Sequence, residues 1–384
     1  MEAIKQKESI VLKIDKELDI LVKKIELLNY INPLNIQTEK ERFFKSKFTQ
    51  NPHFVYPKVD FDAFALQRAL FALPIEEIKD EVLHQLYEDI IYDYSGLIEC
   101  ITTIGHGKKF YYNSLRSFGT PTEKDVQNAN FILHFKDEKD SVKSLPRFDV
   151  YETEKLFREY SKRYDFDYKI IHSDKLSAIA MVLSNDQTLV LNKNHTFSQT
   201  DIAILTNHEI GVHMVTTMNS LLNPLKIFSH GFPNNVETQE GLAVFSEYMS
   251  NSLTLERLKD LAYRVIAVNS LEKGYDFVQT FKLLNTQYNL DENTAFKITL
   301  RVHRGGGFTK DYLYLTGLRK IYTFYQKNKN LTPLLSGKTS LEYLEHINYL
   351  YANKFAITPK YITDSYQNNK NHNKKLDFIL ENFV

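Results

Sequence analysis

The chain has 384 residues, with 48 basic and 48 acidic side chains and a single cysteine, Cys100. This length can bury a sizeable core, and a net charge of zero argues against a dedicated nucleic-acid-binding protein, which normally carries a basic excess. A lone cysteine excludes a disulfide scaffold and a cysteine-based zinc knuckle, so we interpret Cys100 as a small buried apolar residue.

The N-terminal residues carry no recognisable targeting signal. Charged residues recur every few positions over residues 1–28, which leaves no apolar segment of the kind found in secretory signals. No stretch of the sequence approaches the ~20 apolar residues that cross a bilayer. We therefore expect a cytoplasmic protein that has neither a membrane nor a nucleic acid as a partner.

The first part of the chain is predicted to be helical. Apolar residues recur at helical spacing over 2–30, and further helical patterns follow over 37–104. Glycine and proline residues over 105–122 predict a loop. A charged stretch then ends at a proline, which predicts an N-terminal helical region (1–146) and a catalytic domain (147–384).

The pattern changes after residue 150. Three short apolar runs predict β-strands: residues 168–172, 178–183 and 188–191. The polar turn between the last two runs predicts an antiparallel hairpin. A capping-box pattern, Ser198 to Asp201, then starts a long helix, and a second helix is predicted over 236–250. The fold class is α+β, mostly helical, with a small antiparallel sheet next to a metal-binding helix.

The segment His208-Glu209-Ile210-Gly211-Val212-His213 indicates metal chemistry. Two histidines with a glutamate directly after the first are typical of zinc peptidases, in which the imidazoles bind the ion and the glutamate acts on a water molecule. The usual spacing places the histidines four residues apart. Here they are five apart, which is about 140° around a regular α-helix. A π-bulge near Gly211 would restore a shared face, so we predict one there.

A catalytic zinc site usually has three protein ligands. Glu240, in Gln239-Glu240-Gly241-Leu242-Ala243, follows His213 by 27 residues, which is enough for a loop and a returning helix. Glu247 lies two turns later on nearly the same face and could be a ligand or a hydrogen-bond partner of a histidine. His230 is a third candidate, on a loop. We favour Glu240 and leave the other two open.

These residues resemble a known family. The H-E-x-x-x-H motif followed by Q-E-G-L-A is similar to the flavohemoglobin expression-modulating QEGLA motif proteins, whose eukaryotic members include microtubule-associated tyrosine carboxypeptidases. The likeness extends to residues 301–317 and, less sharply, to 31–35. It implies one zinc ion held by His208, His213 and Glu240, with Glu209 as the catalytic base. It also implies a peptide or protein C-terminal tail as the substrate.

Other residues are candidates for the remaining roles in a carboxypeptidase. The oxyanion needs a donor besides zinc, and Tyr314 and Tyr312 are candidates. A terminal carboxylate needs a cation, which Arg304 or Lys310 could provide. An edge strand beside the metal could pair with an extended substrate, and we assign this role to 188–192. A non-catalytic regulatory or binding protein that retains zinc is the alternative function.

Overall fold

The computed structural model describes residues 2–136, 146–174, 176, 178–328 and 330–384, without the side chains of 2–9 and 328. Nineteen α-helices lie within these ranges, numbered α1 to α19 in chain order. They are Glu2–Val22, Leu27–Ile31, Ile36–Lys45, Ala63–Phe71, Glu81–Thr102, Lys108–Phe118, Glu123–His134, Val150–Ser161, Gln199–Leu205, Val215–Leu222, Ile227–His230, Asn235–Met249, Leu255–Glu272, Phe277–Lys282, Glu292–His303, Leu313–Asn328, Leu344–Ala352, Asp364–Gln367 and Lys374–Glu381.

Five strands form two small sheets in the described part of the chain. They are β1 (Arg147–Phe148), β2 (Lys169–Ser173), β3 (Ala180–Leu183), β4 (Thr188–Asn192) and β5 (Phe197–Ser198). The first sheet pairs β1 with β5 in antiparallel orientation. The second has the order β2-β4-β3, in which β3 and β4 are antiparallel and β2 and β4 are parallel. The predicted α+β class and the predicted hairpin are therefore confirmed.

Three sequence predictions are corrected by the fold. The single helix expected over 2–30 is interrupted after Val22, because the chain turns before α2 and buries Ile25 and Leu27. The loop expected over 105–122 contains helix α6, whose Phe110 is fully buried. The strand assigned to the sheet edge, β4, is the central strand, because β2 and β3 flank it. The predicted domain boundary adjoins residues 137–145, which lie outside the described residues, and stays a prediction.

Two hydrophobic clusters form the interior. The larger one joins the N-terminal helices to α12, α13 and α16, and the smaller one lies beneath the β2-β4-β3 sheet. The segment with the two motif histidines lies between them, since Val212 belongs to the larger cluster and Ile210 and Met214 belong to the smaller. None of the described helices combines the length and apolar composition of a membrane span.

A glycine contact positions the helix that carries Glu240. Gly241 on α12 packs directly against Gly317 on α16, and a Cβ atom on either residue would overlap backbone atoms of the facing helix. Small residues allow two helix backbones to approach this closely. The glycine of the Q-E-G-L-A run therefore sets the distance between α12 and α16.

The substitution Gly241→Ala should destabilise the fold by ~1–3 kcal/mol or more. The new methyl group would overlap backbone atoms of Gly317, which cannot move without shifting α16. The free energy of unfolding from urea denaturation measures this effect. Gly96→Ala on α5 is the matched control, since its Cβ would lie 3.7 Å from the nearest atom, Ser117 Oγ. The control should be neutral or stabilising by up to ~1 kcal/mol. Equal stabilities of the two variants would contradict the packing role.

Candidate active site

The two motif histidines lie on a π-helical segment, Thr206–Met214, between α9 and α10. The Val215 N–H donates to the carbonyl of Ile210, five residues earlier, and not to the fourth preceding carbonyl that an α-helix would use. This wider turn brings His208 and His213 onto one face, with their ring centroids 4.9 Å apart. The predicted irregularity around Gly211 is confirmed, although it extends over nine residues instead of one.

Side-chain hydroxyl groups stabilise this unusual helix. Thr363 Oγ1 donates to the carbonyl of Gly211 at 2.7 Å, and Thr217 Oγ1 donates to the carbonyl of His213 at 2.7 Å. Ser246 Oγ on α12 donates to the carbonyl of Asn207 at 3.1 Å. Buried carbonyl groups require such partners when a helix departs from its regular ladder. The contacts from Thr363 and Ser246, which lie on other segments of the chain, therefore help to maintain the spacing that the two histidines need.

Helix α12 brings Glu240 to the two histidines. Its Oε2 atom lies 3.5 Å from His208 Nε2 and 3.7 Å from His213 Nε2. All three donor atoms lie within 4.8 Å of one another. In tetrahedral zinc coordination, bonds of about 2.0–2.1 Å separate neighbouring ligand atoms by about 3.3 Å. The two distances from Glu240 Oε2 are close to this separation, so these three side chains could hold one zinc ion.

The two carboxylate oxygens of Glu240 have different surroundings. Oε1 accepts a 2.7 Å hydrogen bond from Lys310 Nζ, whereas Oε2 is buried and has no hydrogen-bond partner among the residues that the structure describes. Burial alone would raise the pKa of Glu240, but Lys310 and the two histidines lower it well below its usual range. An unpartnered, charged oxygen beside two imidazoles is a suitable donor set for a cation.

Glu247 is a hydrogen-bond partner of His208, which is the second of the two roles that the sequence allowed for it. It is fully buried, and its Oε1 lies 2.8 Å from His208 Nδ1. Arg257, which the sequence analysis missed, donates to both Glu247 oxygens at 3.2 Å. Burial lowers the pKa of His208, but the carboxylates of Glu240 and Glu247 outweigh this effect and raise it to about 9. Glu247 therefore orients His208, and no sequence signal linked Arg257 to it.

His230, the remaining ligand candidate, lies apart from this cluster. Its Nε2 atom is 2.6 Å from Asp19 Oδ1 on α1, so the imidazole is already engaged. Burial lowers the pKa of His230 in spite of this carboxylate. The structure therefore gives His230 a contact with the N-terminal helix and not with the two motif histidines.

Glu209 is available for proton transfer. It lines the same cavity as the two histidines and Glu240. Within the described ranges, its carboxylate makes no hydrogen bond and no ion pair, although it is 91% buried (9% exposed). A carboxylate in this position can accept a proton from a molecule that enters the cavity.

The two tyrosine candidates have different surroundings. The Tyr314 ring is nearly parallel to that of His208, at a centroid distance of 6.5 Å, and its hydroxyl lies 3.4 Å from Lys310 Nζ. Burial raises the pKa of Tyr314, which keeps the phenol protonated as a donor. Tyr312 instead donates to the carbonyl of Phe118 at 2.7 Å. Of the two, only Tyr314 lines the cavity.

The two cation candidates both line the cavity but have different partners. Lys310 contacts Glu240, as described, and its predicted contact with a substrate carboxylate stays a prediction. Arg304 is 7% exposed and donates from Nη1 to Asn32 Oδ1 at 2.7 Å. Its buried Nε has no hydrogen-bond partner within the described ranges. Burial, with Arg301 nearby, lowers the pKa of Arg304 to about 10. Arg304 is thus a buried cation without a carboxylate partner in the described part of the chain.

The cavity has a volume of about 340 Å³ and is bounded by the sheet on one side. All four residues of β3 line it, whereas those of β4 do not. Among the described residues, β3 is paired only with β4, so its other edge carries no strand. The edge strand beside the candidate metal ligands is therefore β3, which corrects the sequence assignment to 188–192.

Comparison with known proteins shows the family of this chain. Residues 41–383 match the family model described as microtubule-associated tyrosine carboxypeptidase. The chain belongs to this family. It is 25% identical over 360 residues to the Mus musculus protein named "Putative tyrosine carboxypeptidase MATCAP2", and this match covers 90% of this chain and 60% of that protein. It is 24% identical to microtubule-associated tyrosine carboxypeptidase 1 of Mus musculus over 338 residues, covering 84% and 62%.

The human microtubule-associated tyrosine carboxypeptidase 1 gives a similar result, at 24% identity over 339 residues, with 84% of this chain and 61% of that protein covered. The resemblance drawn from the two sequence motifs is confirmed at the level of this family. The chain spans about three fifths of the length of these curated relatives.

Proposed function

We propose that this member of the tyrosine carboxypeptidase family is a zinc-dependent metallopeptidase that removes residues from the C-terminal tails of peptides or proteins. The observation that carries the proposal is the convergence of three side chains: His208 and His213 on one face of the irregular helix, and Glu240 on α12. Their ligand atoms lie within 4.8 Å of one another. Membership of the family supports the carboxypeptidase class.

In this proposal the three converging side chains hold one zinc ion. Glu247 orients His208 through its Nδ1 atom, and Lys310 holds the second oxygen of Glu240. A bound zinc ion supplies Lewis acidity toward a carbonyl oxygen and a water molecule. Because Lys310 already engages Glu240, we assign it to positioning of this carboxylate in addition to any contact with substrate.

Glu209 and Tyr314 perform the proton transfer and the oxyanion stabilisation. The Glu209 carboxylate takes a proton from the attacking water and delivers it to the leaving amine. The protonated Tyr314 hydroxyl donates to the oxyanion as the carbonyl carbon becomes tetrahedral. Both groups line the cavity, which supports these roles.

Arg304 recognises the end of the substrate. Its planar guanidinium suits bidentate binding of a carboxylate, and no acidic side chain of the described residues competes for it. This preference for a free C-terminus is what would make the enzyme an exopeptidase.

The free edge of β3 binds the peptide backbone. The Asn192 N–H donates to the Ile179 carbonyl, which sets the alternation of hydrogen bonds between β3 and β4. In a regular antiparallel pair, the backbone groups of Ala180 and Val182 then face the free edge. An extended substrate that pairs there gains hydrogen bonds independent of its sequence.

Digestion of a peptide library by the zinc-loaded protein, followed by mass spectrometry, tests the proposal. We expect single residues to be released from peptides with a free C-terminus, and amidated copies of the same peptides to be resistant. Tyrosine-terminated peptides belong in the library because the relatives are named tyrosine carboxypeptidases. If neither form is cleaved by protein that contains one zinc ion per chain, the proposed function is wrong.

The variant Arg304→Gln should raise the KM for free-acid peptides by ~10–100-fold, because a charge-assisted hydrogen bond to the substrate carboxylate is lost. The kcat should change much less, since Arg304 does not contact the scissile bond in this proposal. Steady-state kinetics with free-acid peptides, together with the thermal midpoint of the variant, measure the effect. A fall in kcat accompanied by a lowered thermal midpoint, with KM unchanged, would assign Arg304 to the fold instead of to the carboxylate.

A further inference from the structure

Arg304 differs from the other cations in and beside the site. Four of them each pair with a carboxylate: Arg257 with Glu247, Arg264 with Asp260, Arg301 with Asp311 and Lys310 with Glu240. Arg304 instead contacts the neutral amide of Asn32, and none of the described carboxylates forms an ion pair with it. A buried cation of this kind retains its capacity to bind an anion.

The amide of Asn32 has a defined orientation. Its Nδ2 donates to the carbonyl of Leu28 at 3.1 Å, and its Oδ1 accepts from Arg304 Nη1 at 2.7 Å. Rotating the amide by 180° would turn a donor toward the guanidinium, which has only donors itself. Asn32 is therefore a neutral acceptor that orients Arg304 without cancelling its charge.

The backbone next to these two residues is tightly packed. Ile31 is fully buried and contacts Gly305, where a Cβ atom would overlap the Ile31 side chain. The Gly305 N–H donates to Tyr56 Oη at 2.7 Å. Since Ile31 precedes Asn32 and Gly305 follows Arg304, this packing maintains the contact between the amide and the guanidinium.

We propose that Asn32 is a positioning residue that orients Arg304 and leaves its charge free for the substrate's terminal carboxylate. The inference rests on the proposed function of Arg304. It extends the site to the segment before residue 41, where the matched family region begins. Residues 25–29 and 32 line the cavity, so this segment also forms one of its walls.

Equilibrium binding tests this inference independently of turnover. The probes are fluorescein-labelled peptides ending in tyrosine, as the free acid and as the amide, measured by anisotropy with zinc-loaded protein. Every protein in this assay, including the wild-type reference, carries Glu209→Gln, which prevents hydrolysis of the probe. Asn32→Asp replaces the neutral acceptor by a carboxylate of the same shape, which should pair with Arg304. We expect wild type to prefer the free acid by tenfold or more, and Asn32→Asp to lose this preference. A cooperative thermal transition checks that Asn32→Asp is folded, because the variant loses the Nδ2 donor to the Leu28 carbonyl.

Asn353→Asp is the matched control. Asn353 caps α17 as Asn32 caps α2, and its Nδ2 donates to the carbonyl four residues earlier, at 2.9 Å. This variant introduces the same charge on the surface and should keep the wild-type preference.

The outcomes distinguish failure of the role of Asn32 from failure of the proposed carboxypeptidase function. If Asn32→Asp still prefers the free acid, the role of Asn32 is wrong and the proposed function stands. If wild type itself shows no preference, the carboxypeptidase function and the role of Asn32 both fail. If Asn353→Asp also loses the preference for the free acid, added negative charge on the surface explains the loss in both variants. This result would also overturn the role of Asn32.

Discussion

Glu209→Gln should lower kcat/KM for peptide hydrolysis by ~10²–10⁴-fold, the usual contribution of general base catalysis. The amide has nearly the same shape as the carboxylate but cannot accept the proton. Because the Glu209 carboxylate forms neither a hydrogen bond nor an ion pair with the described residues, its replacement disturbs no contact that maintains the fold. Peptide kinetics, zinc content by elemental analysis and the thermal midpoint together measure the outcome.

Glu256→Gln is the control for this variant, since it removes an exposed carboxylate from the first turn of α13. It should retain wild-type kinetics. Hydrolysis at the wild-type rate by Glu209→Gln would exclude Glu209 as the base. A regulatory protein that merely contains zinc would show no hydrolysis in either variant or in wild type, so the same assay separates the two functions.

Glu240→Gln should lower zinc affinity by more than 100-fold, because the ion loses its one anionic ligand. The glutamine Oε1 can still accept from Lys310, which lies 2.7 Å from this position in wild type. Glu240→Ala would instead leave the buried Lys310 ammonium group without a carboxylate, with the Tyr314 hydroxyl at 3.4 Å as its remaining partner. The loss of the buried ion pair would cost up to about 3–5 kcal/mol. Competition with a chromogenic chelator measures the affinity, and the glutamine variant should remain folded.

Glu247→Gln is the comparison for Glu240→Gln. Loss of a group that orients a ligand typically costs ~10–100-fold in metal affinity, so this variant should be affected less than Glu240→Gln. His230→Ala should bind zinc as wild type does, because its imidazole contacts Asp19. A larger loss in Glu247→Gln than in Glu240→Gln would reverse the assignment of ligand and orienting residue.

Much of the candidate site followed from local spacing. A separation of five positions between His208 and His213 is incompatible with one face of an α-helix, so a shared ligand role required a wider turn near Gly211. The capping box from Ser198 to Asp201 marked the start of this helix, and both of its reciprocal hydrogen bonds are present. These features depend on residues close together in the chain, which is why the sequence alone determined them.

The helical periodicity of the sequence does not distinguish Glu240 from Glu247 as the candidate metal ligand. The two lie seven residues apart, about 20° around the same helix, so both face the same neighbour. The choice depends on where α12 crosses the π-helical segment, and the contact between Gly241 and Gly317 sets the position of α12. Only tertiary packing therefore directs Glu240 to both histidines and Glu247 to His208 Nδ1.

The pairing of the strands and the partners of the candidate substrate-binding side chains also depend on tertiary structure. An apolar run predicts a strand but not its neighbours, so the free edge of β3 became evident only once β2 had paired with β4. Arg304 and Lys310 are equivalent as cations in the sequence. The structure distinguishes them because Lys310 contacts Glu240, whereas Arg304 contacts Asn32, 272 residues away in the chain. Charge pairing between distant segments is decided by the fold, since local sequence contains no information about it.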